Sequence, residues 1–128
     1  MVNDLKDSRI VVIEDEQAIA DLLCDLLQAE GAEIIPLSHP SAAQSLSTSQ
    51  PPDLVLMDLM LPKMDGIKLA GWLRENGLAH TPMIAMSASR IMLHFATTSN
   101  LFQAVVSKPF ETDNLVECIR AHVGLYVS

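Results

Sequence analysis

Short β-branched apolar runs alternate along this chain with longer segments whose apolar residues recur every three or four positions, the pattern of βαβ units around a parallel sheet. Five such units follow one another. The first joins a strand at Arg9 to Glu14 to a helix at Gln17 to Ala29, which sets Ile19, Leu22, Leu23, Leu26 and Leu27 on one face before Gly31 stops it. In the second, a strand at Glu33 to Leu37 is followed by Pro40-Ser41, which opens a short helix at Ala42 to Ser47. The turn Gln50-Pro51-Pro52-Asp53 feeds a third strand, Leu54 to Asp58. Gly66 then precedes a helix with Ile67, Leu69, Ala70 and Leu73 inward, ended by Asn76-Gly77. The fourth strand is Met83 to Met86, and its helix, Ile91 to Thr98, carries the core stripe Ile91, Met92, Phe95 and Ala96 with Leu93 outside it. A last strand at Ala104 to Val106 is cut off by Pro109, and Thr112 caps a helix with Leu115, Val116, Ile119 and Val123 inward.

The strand ends carry the chemistry. Val11-Val12-Ile13 runs into Glu14-Asp15-Glu16, Leu54-Val55-Leu56-Met57 into Asp58, Met83-Ile84-Ala85-Met86 into Ser87, and Ala104-Val105-Val106 reaches Lys108-Pro109 one residue on. In an open parallel sheet the ligand crevice lies beyond the carboxyl ends of the strands, where strand order reverses. Right-handed crossovers place strands one and three side by side at that point, so Asp15 and Asp58 are expected to be neighbours, with Glu14 as a third acid.

At 128 residues the chain fits one domain, expected over 1–128 with its core at about 8–124. Hydrophobic residues make up 49% against 19% charged, enough to bury a core. A net charge of −8 and five aromatic residues argue against direct nucleic-acid binding. No apolar run approaches a membrane span, and the first residues lack the pattern of an export signal, so the expected location is cytoplasmic with no membrane partner. Cys24 and Cys118 have neither the number nor the spacing of a disulfide framework or zinc site, and His39, His80, His94 and His122 share no ligand spacing.

Two carboxylates about 5 Å apart repel by roughly 3 kcal/mol at an effective dielectric near 20, and a third worsens the cluster. A divalent metal together with Lys108 offsets three such charges, and hard oxygen ligands suit Mg²⁺. A carboxylate can attack phosphorus and carry the phosphoryl group covalently, with the metal, the lysine and the Ser87 hydroxyl positioned on its oxygens. Each of these residues alone reads as ordinary surface or capping chemistry; their joint occurrence on one sheet edge favours a phosphoacceptor site. Lys63 and Asp65 are read as turn residues beside Gly66.

Four segments, Val12-Ile13-Glu14-Asp15-Glu16, the run from Pro52 through Asp58 to Gly66, Ser87-Ala88 and Lys108-Pro109-Phe110, agree in order and spacing with one known family. In them the chain resembles the receiver domains of two-component response regulators, in the manner of single-domain, chemotaxis-type regulators. The resemblance implies a flavodoxin-like (βα)5 doubly wound α/β fold with strand order 2-1-3-4-5 and a cis Lys108-Pro109 bond. It implies that Asp58 accepts phosphate from a sensor histidine kinase or a histidine phosphotransfer protein, with Ser87 and Lys108 on the phosphoryl group. Mg²⁺ is then held by Asp15, Asp58 and the Met60 carbonyl, with Glu14 acting through water.

One position departs from the pattern. Family members usually carry an aromatic residue where this chain has Val105, and Val lacks the long lever that swings inward on activation. The expected partner surface, for a downstream protein or a second copy, is still the fourth helix, fifth strand and fifth helix, with Leu93 and Phe102 exposed. Two other classes fail on residues: a flavodoxin-type carrier needs a phosphate loop where Glu14-Asp15-Glu16 stands, and an aspartyl-nucleophile phosphatase needs a second acid at Met60. The surviving alternative is a receiver-like interaction module that acts independently of phosphorylation.

Overall fold

A computed structural model describes residues 5–46 and 50–127. Its elements run β1 (Arg9–Ile13), α1 (Gln17–Ala29), β2 (Glu33–Leu37), α2 (Pro40–Gln44), β3 (Leu54–Asp58), α3 (Gly66–Glu75), β4 (Met83–Ser87), α4 (Arg90–Ser99), β5 (Ala104–Ser107) and α5 (Thr112–His122). All pairings are parallel, in the order β2-β1-β3-β4-β5. This is the expected doubly wound sheet, and it puts β1 beside β3.

Side chains alternate across a strand, so each central strand serves two cores at once. Ile10, Val12, Leu54, Leu56, Ile84 and Met86 meet α1 and α5 through Leu23, Leu27, Leu115 and Ile119. Val11, Ile13, Val55, Met57 and Met83 meet α3 through Leu69, Ala70 and Leu73. Every residue of β3 and β4 is buried, which is why those strands read as continuous apolar runs.

Several expected details differ. Helix α2 begins at Pro40, since proline suits a first helical turn, and His39 caps it by accepting the Ser41 amide; the expected end at Ser47 lies outside the described residues. Leu22 is 46% exposed rather than inward, because the α1 stripe is satisfied by Leu23 and Leu27. Thr112 is the first residue of α5; the capping position is Glu111, which makes no side-chain cap.

The largest correction concerns α4. Ile91 and Phe95, expected inward, are 68% and 53% exposed, whereas Leu93 and Phe102, expected on the surface, are half-buried against Leu59, Ala85 and Ala96. Apolar residues lie on both sides of this helix, and close approach decides between them. The small Ala96 sits against Ala85 of β4, and that register carries Met92 and Leu93 inward.

Candidate phosphoacceptor site

Asp58 ends β3 and its carboxylate is nearly enclosed, 7% exposed, with Oδ1 accepting the Met60 amide at 2.9 Å. Glu14 follows β1 directly and its side chain is fully buried, with Oε2 accepting the Glu16 amide at 3.2 Å. Lys108 reaches in from beyond β5 and donates from Nζ to Glu14 Oε1 at 2.7 Å and to Asp58 Oδ2 at 3.0 Å. Asp15 stands exposed at the mouth. One oxygen from each of Glu14, Asp15 and Asp58 lies within 4.8 Å of the others.

Position follows from backbone constraints. The Gly66 amide donates to the Leu59 carbonyl at 2.8 Å, and a Cβ on Gly66 would lie 2.6 Å from the Asp58 carbonyl oxygen. Only glycine lets the start of α3 close onto the end of β3 this tightly. Between them runs the loop holding Met60, Lys63 at a left-handed φ of 66°, and Asp65, which caps α3 by accepting the Lys68 amide. Lys63 and Asp65 are therefore turn chemistry, as the sequence suggested. On the other side the Ser87 carbonyl accepts the Lys108 amide at 2.9 Å, and the Lys108–Pro109 bond is cis.

The electrostatics are those of an overcrowded acid cluster with one cation. Burial pushes the Glu14 carboxyl up to about 7; the Lys108 hydrogen bond opposes this and the bond to Asp58 reinforces it. Burial alone disfavours the Lys108 ammonium, but its hydrogen bonds to Glu14 and Asp58 outweigh that and raise its pKa. At 4.8 Å a pair of carboxylates repels by about 3.5 kcal/mol at an effective dielectric of 20. A site of this kind favours bound cations, and three oxygen donors with one face open to water fit a hard divalent ion.

The expected residues do not all meet in the same way. Glu14, besides the role through water expected of it toward a metal, contacts Lys108 directly. Met60 is engaged through its amide, and its side chain stands 57% exposed at the rim of a cleft of about 420 Å³ shared with Asp15, Glu16, Asp58, Ala88 and Lys108. Ser87 is fully buried at the end of β4, its hydroxyl accepting the Ser89 amide at 3.0 Å. Ser89, rather than Ser87, is the cap of α4, accepting the Met92 amide at 3.2 Å. The two serines of Ser87-Ala88-Ser89 ahead of an apolar run are the signal for it.

The model of the response regulator receiver domain matches residues 10–120. The chain belongs to that family. Receiver domains are the phosphoacceptors of two-component signalling, and this one shares their function. It is 30% identical over 123 residues to the polar-differentiation response regulator DivK of Brucella anthropi, covering 90% of this chain and 95% of DivK. Among solved structures it is similar to the response regulator TrrA of Thermotoga maritima in complex with Mg(2+)-BeF, at 30% identity and a TM-score of 0.79, covering 91% of this chain and 99% of TrrA. The chemotaxis response regulator CheY4 of Vibrio cholerae shares the fold, with a TM-score of 0.82 at 16% identity, over 92% and 100% of the two chains. Among the described residues no helix is long and apolar enough to cross a membrane.

Proposed function

We propose that Asp58 of this receiver domain is the phosphoacceptor, taking the phosphoryl group of a phosphohistidine carried by a sensor kinase or a phosphotransfer protein. The carrying observation is the Lys108 ammonium bridging Glu14 and Asp58 at the carboxyl end of the sheet, beside the exposed Asp15. An Asp58 oxygen forms a bond to phosphorus as the phosphorus–nitrogen bond breaks; the departing imidazole keeps the electron pair and takes up a proton from water. Lys108 transfers its hydrogen bond from the Asp58 carboxylate to a phosphoryl oxygen, and Ser87 donates its hydroxyl to another.

Asp15, Asp58 and the Met60 carbonyl hold Mg²⁺ in this reading, with Glu14 acting mainly by keeping Lys108 in place. Mg²⁺ supplies neutralisation of the phosphoryl oxygens. The acidic donor set supports that choice, as does the similar TrrA with its Mg(2+)-BeF. Slow hydrolysis of the acyl phosphate by water entering past Asp15 returns the domain to its resting state. The cytoplasm suits the two unpaired thiols of Cys24 and Cys118.

The phosphorylated domain acts through the α4, β5 and α5 face on a downstream protein or a second copy. Its exposed apolar groups are Ile91, Phe95 and Val105, while Leu93 and Phe102 are half-buried against Leu59, Ala85 and Ala96. A module indifferent to phosphorylation has no use for a buried acid pair bridged by a lysine.

Incubation with Mg²⁺ and a small acyl phosphate, followed by intact-mass measurement, tests the assignment. Wild type gains one phosphoryl group and Asp58→Asn gains none. Equal labelling of the two proteins contradicts it.

A further inference from the structure

Ser87 and Ser89 form a two-step hydrogen-bond relay from the phosphoryl-binding position to the first turn of α4. The Ser87 hydroxyl accepts the Ser89 amide at 3.0 Å; the Ser89 hydroxyl accepts the Met92 amide at 3.2 Å, and the Ser89 carbonyl accepts the Leu93 amide at 3.0 Å. One residue therefore holds the buried Ser87 oxygen by its backbone and the helix start by its side chain and its carbonyl.

Helix α4 depends on that start more than its neighbours do on theirs. Its one fully buried residue is Ala96, and it has neither an acid in the first turn nor a base in the last to offset its dipole. Its second half carries Thr97, Thr98 and Ser99, whose hydroxyls donate back to the carbonyls of Leu93, Phe95 and Ala96, a habit that weakens helices. The exposed apolar pair Ile91 and Phe95 is one turn apart and begins two residues after Ser89. A change in the cap therefore reorients the most exposed apolar groups of this face. Val105, 37% exposed and short, offers no comparable lever.

We propose that Ser89 is the positioning residue that transmits phosphorylation: as the Ser87 hydroxyl turns to donate to the phosphoryl group, it releases the Ser89 amide, and the first turn of α4 loosens. The inference rests on the reading that Ser87 binds the phosphoryl group on Asp58. It assigns the switch to a helix cap, so the signal reaches Ile91 and Phe95 without an aromatic residue on β5.

Amide hydrogen exchange followed by NMR, with Mg²⁺ and beryllium fluoride as the phosphoryl mimic, tests it on the full chain. In wild type the mimic speeds exchange at Ser89, Met92 and Leu93 while the core amides of β3 stay protected. Ser89→Ala, still labelled by acyl phosphate, shows Met92 and Leu93 exchanging about fivefold faster at rest, the loss of one N-cap, and gains little more with the mimic. Ser89→Asn, a good cap, restores the resting protection and the response. Fluoride NMR showing the mimic bound, with those three amides unchanged, overturns the relay alone. A Ser89→Ala protein that responds like wild type does the same. Absence of both mimic binding and Asp58 labelling overturns the phosphoacceptor reading together with the relay.

Discussion

The two ends of the sheet handle a half-buried cation in opposite ways. At the carboxyl end, Lys108 faces Glu14 and Asp58, with Asp15 close by, so one positive charge stands among three acids. At the amino end, Arg74 meets no carboxylate among the described residues. Its guanidinium donates to the carbonyls of Leu78 and Leu101 at 2.9 and 2.6 Å, to that of Thr81, and to Gln103 Oε1 at 3.0 Å, while Gln103 also accepts the Met83 amide at 2.7 Å. Burial lowers the Arg74 pKa, yet both terminal nitrogens of its planar fork meet neutral acceptors. Residues 124–127 close the same end: the Tyr126 hydroxyl donates to Asp53 at 3.0 Å, and the Val127 amide donates to the His80 carbonyl at 2.8 Å. The amino end spends its polar groups on fixing loops to strands. The carboxyl end keeps an excess of negative charge that only a further cation relieves, which is a poor way to gain stability and a good way to bind a metal and a phosphoryl group.

Lys108→Ala breaks the contrast most severely. It removes the cation that bridges Glu14 and Asp58, and acyl-phosphate labelling of Asp58 slows by on the order of 10²- to 10³-fold. Quantitative intact-mass time courses check this, and an unchanged rate removes Lys108 from the phosphoryl group's surroundings. Arg74→Ala does the reverse: it leaves labelling of the folded protein near wild type and costs about 2–4 kcal/mol in urea unfolding, since several carbonyls lose a charged donor. Arg74→Lys, without the fork, recovers only part of that loss.

Glu14 gives the comparison a pH dependence. Its folded pKa, about 7, is above the ordinary 4.5, so the folded state prefers the protonated acid. The contribution to stability is fully present below about 4.5 and is lost as pH rises through about 7. Urea midpoints measured from pH 5 to pH 8 therefore fall in wild type more than in Glu14→Gln. Mg²⁺ binding, which needs the ionised cluster, tightens over the same range in wild type. Parallel curves for the two proteins contradict the burial argument. The smallest effect belongs to Tyr126→Phe at the amino end, a loss of about 0.5–1 kcal/mol for one hydrogen bond, with labelling unaltered.

The strands and the acid, hydroxyl and amine at their ends were legible because burial on both faces writes continuous apolar runs, and each run stops where the chemistry begins. What could not be read shares one cause: the deciding partner is remote in sequence or is backbone. Arg74 looks like an ordinary helix-end base, since its acceptors are carbonyls up to 27 residues away. The inward face of α4 depends on Ala96 meeting Ala85, two alanines that carry little hydrophobic signal beside Ile91 and Phe95. The direct Glu14–Lys108 contact spans 94 residues, and spacing alone could place the two residues on one edge but not in one ion pair.

On the proposed reading the acid at the end of β3, and neither Glu14 nor Asp15 after β1, receives the phosphoryl group. Borohydride reduction of the acyl-phosphate-treated protein, followed by peptide mapping, reads this directly, because an aspartyl phosphate is reduced to homoserine. The expected product is homoserine at position 58 in wild type, dependent on Mg²⁺, with Glu14 and Asp15 recovered intact. Reduction product at position 14 or 15, or none at position 58 in a protein that has gained phosphate, contradicts it.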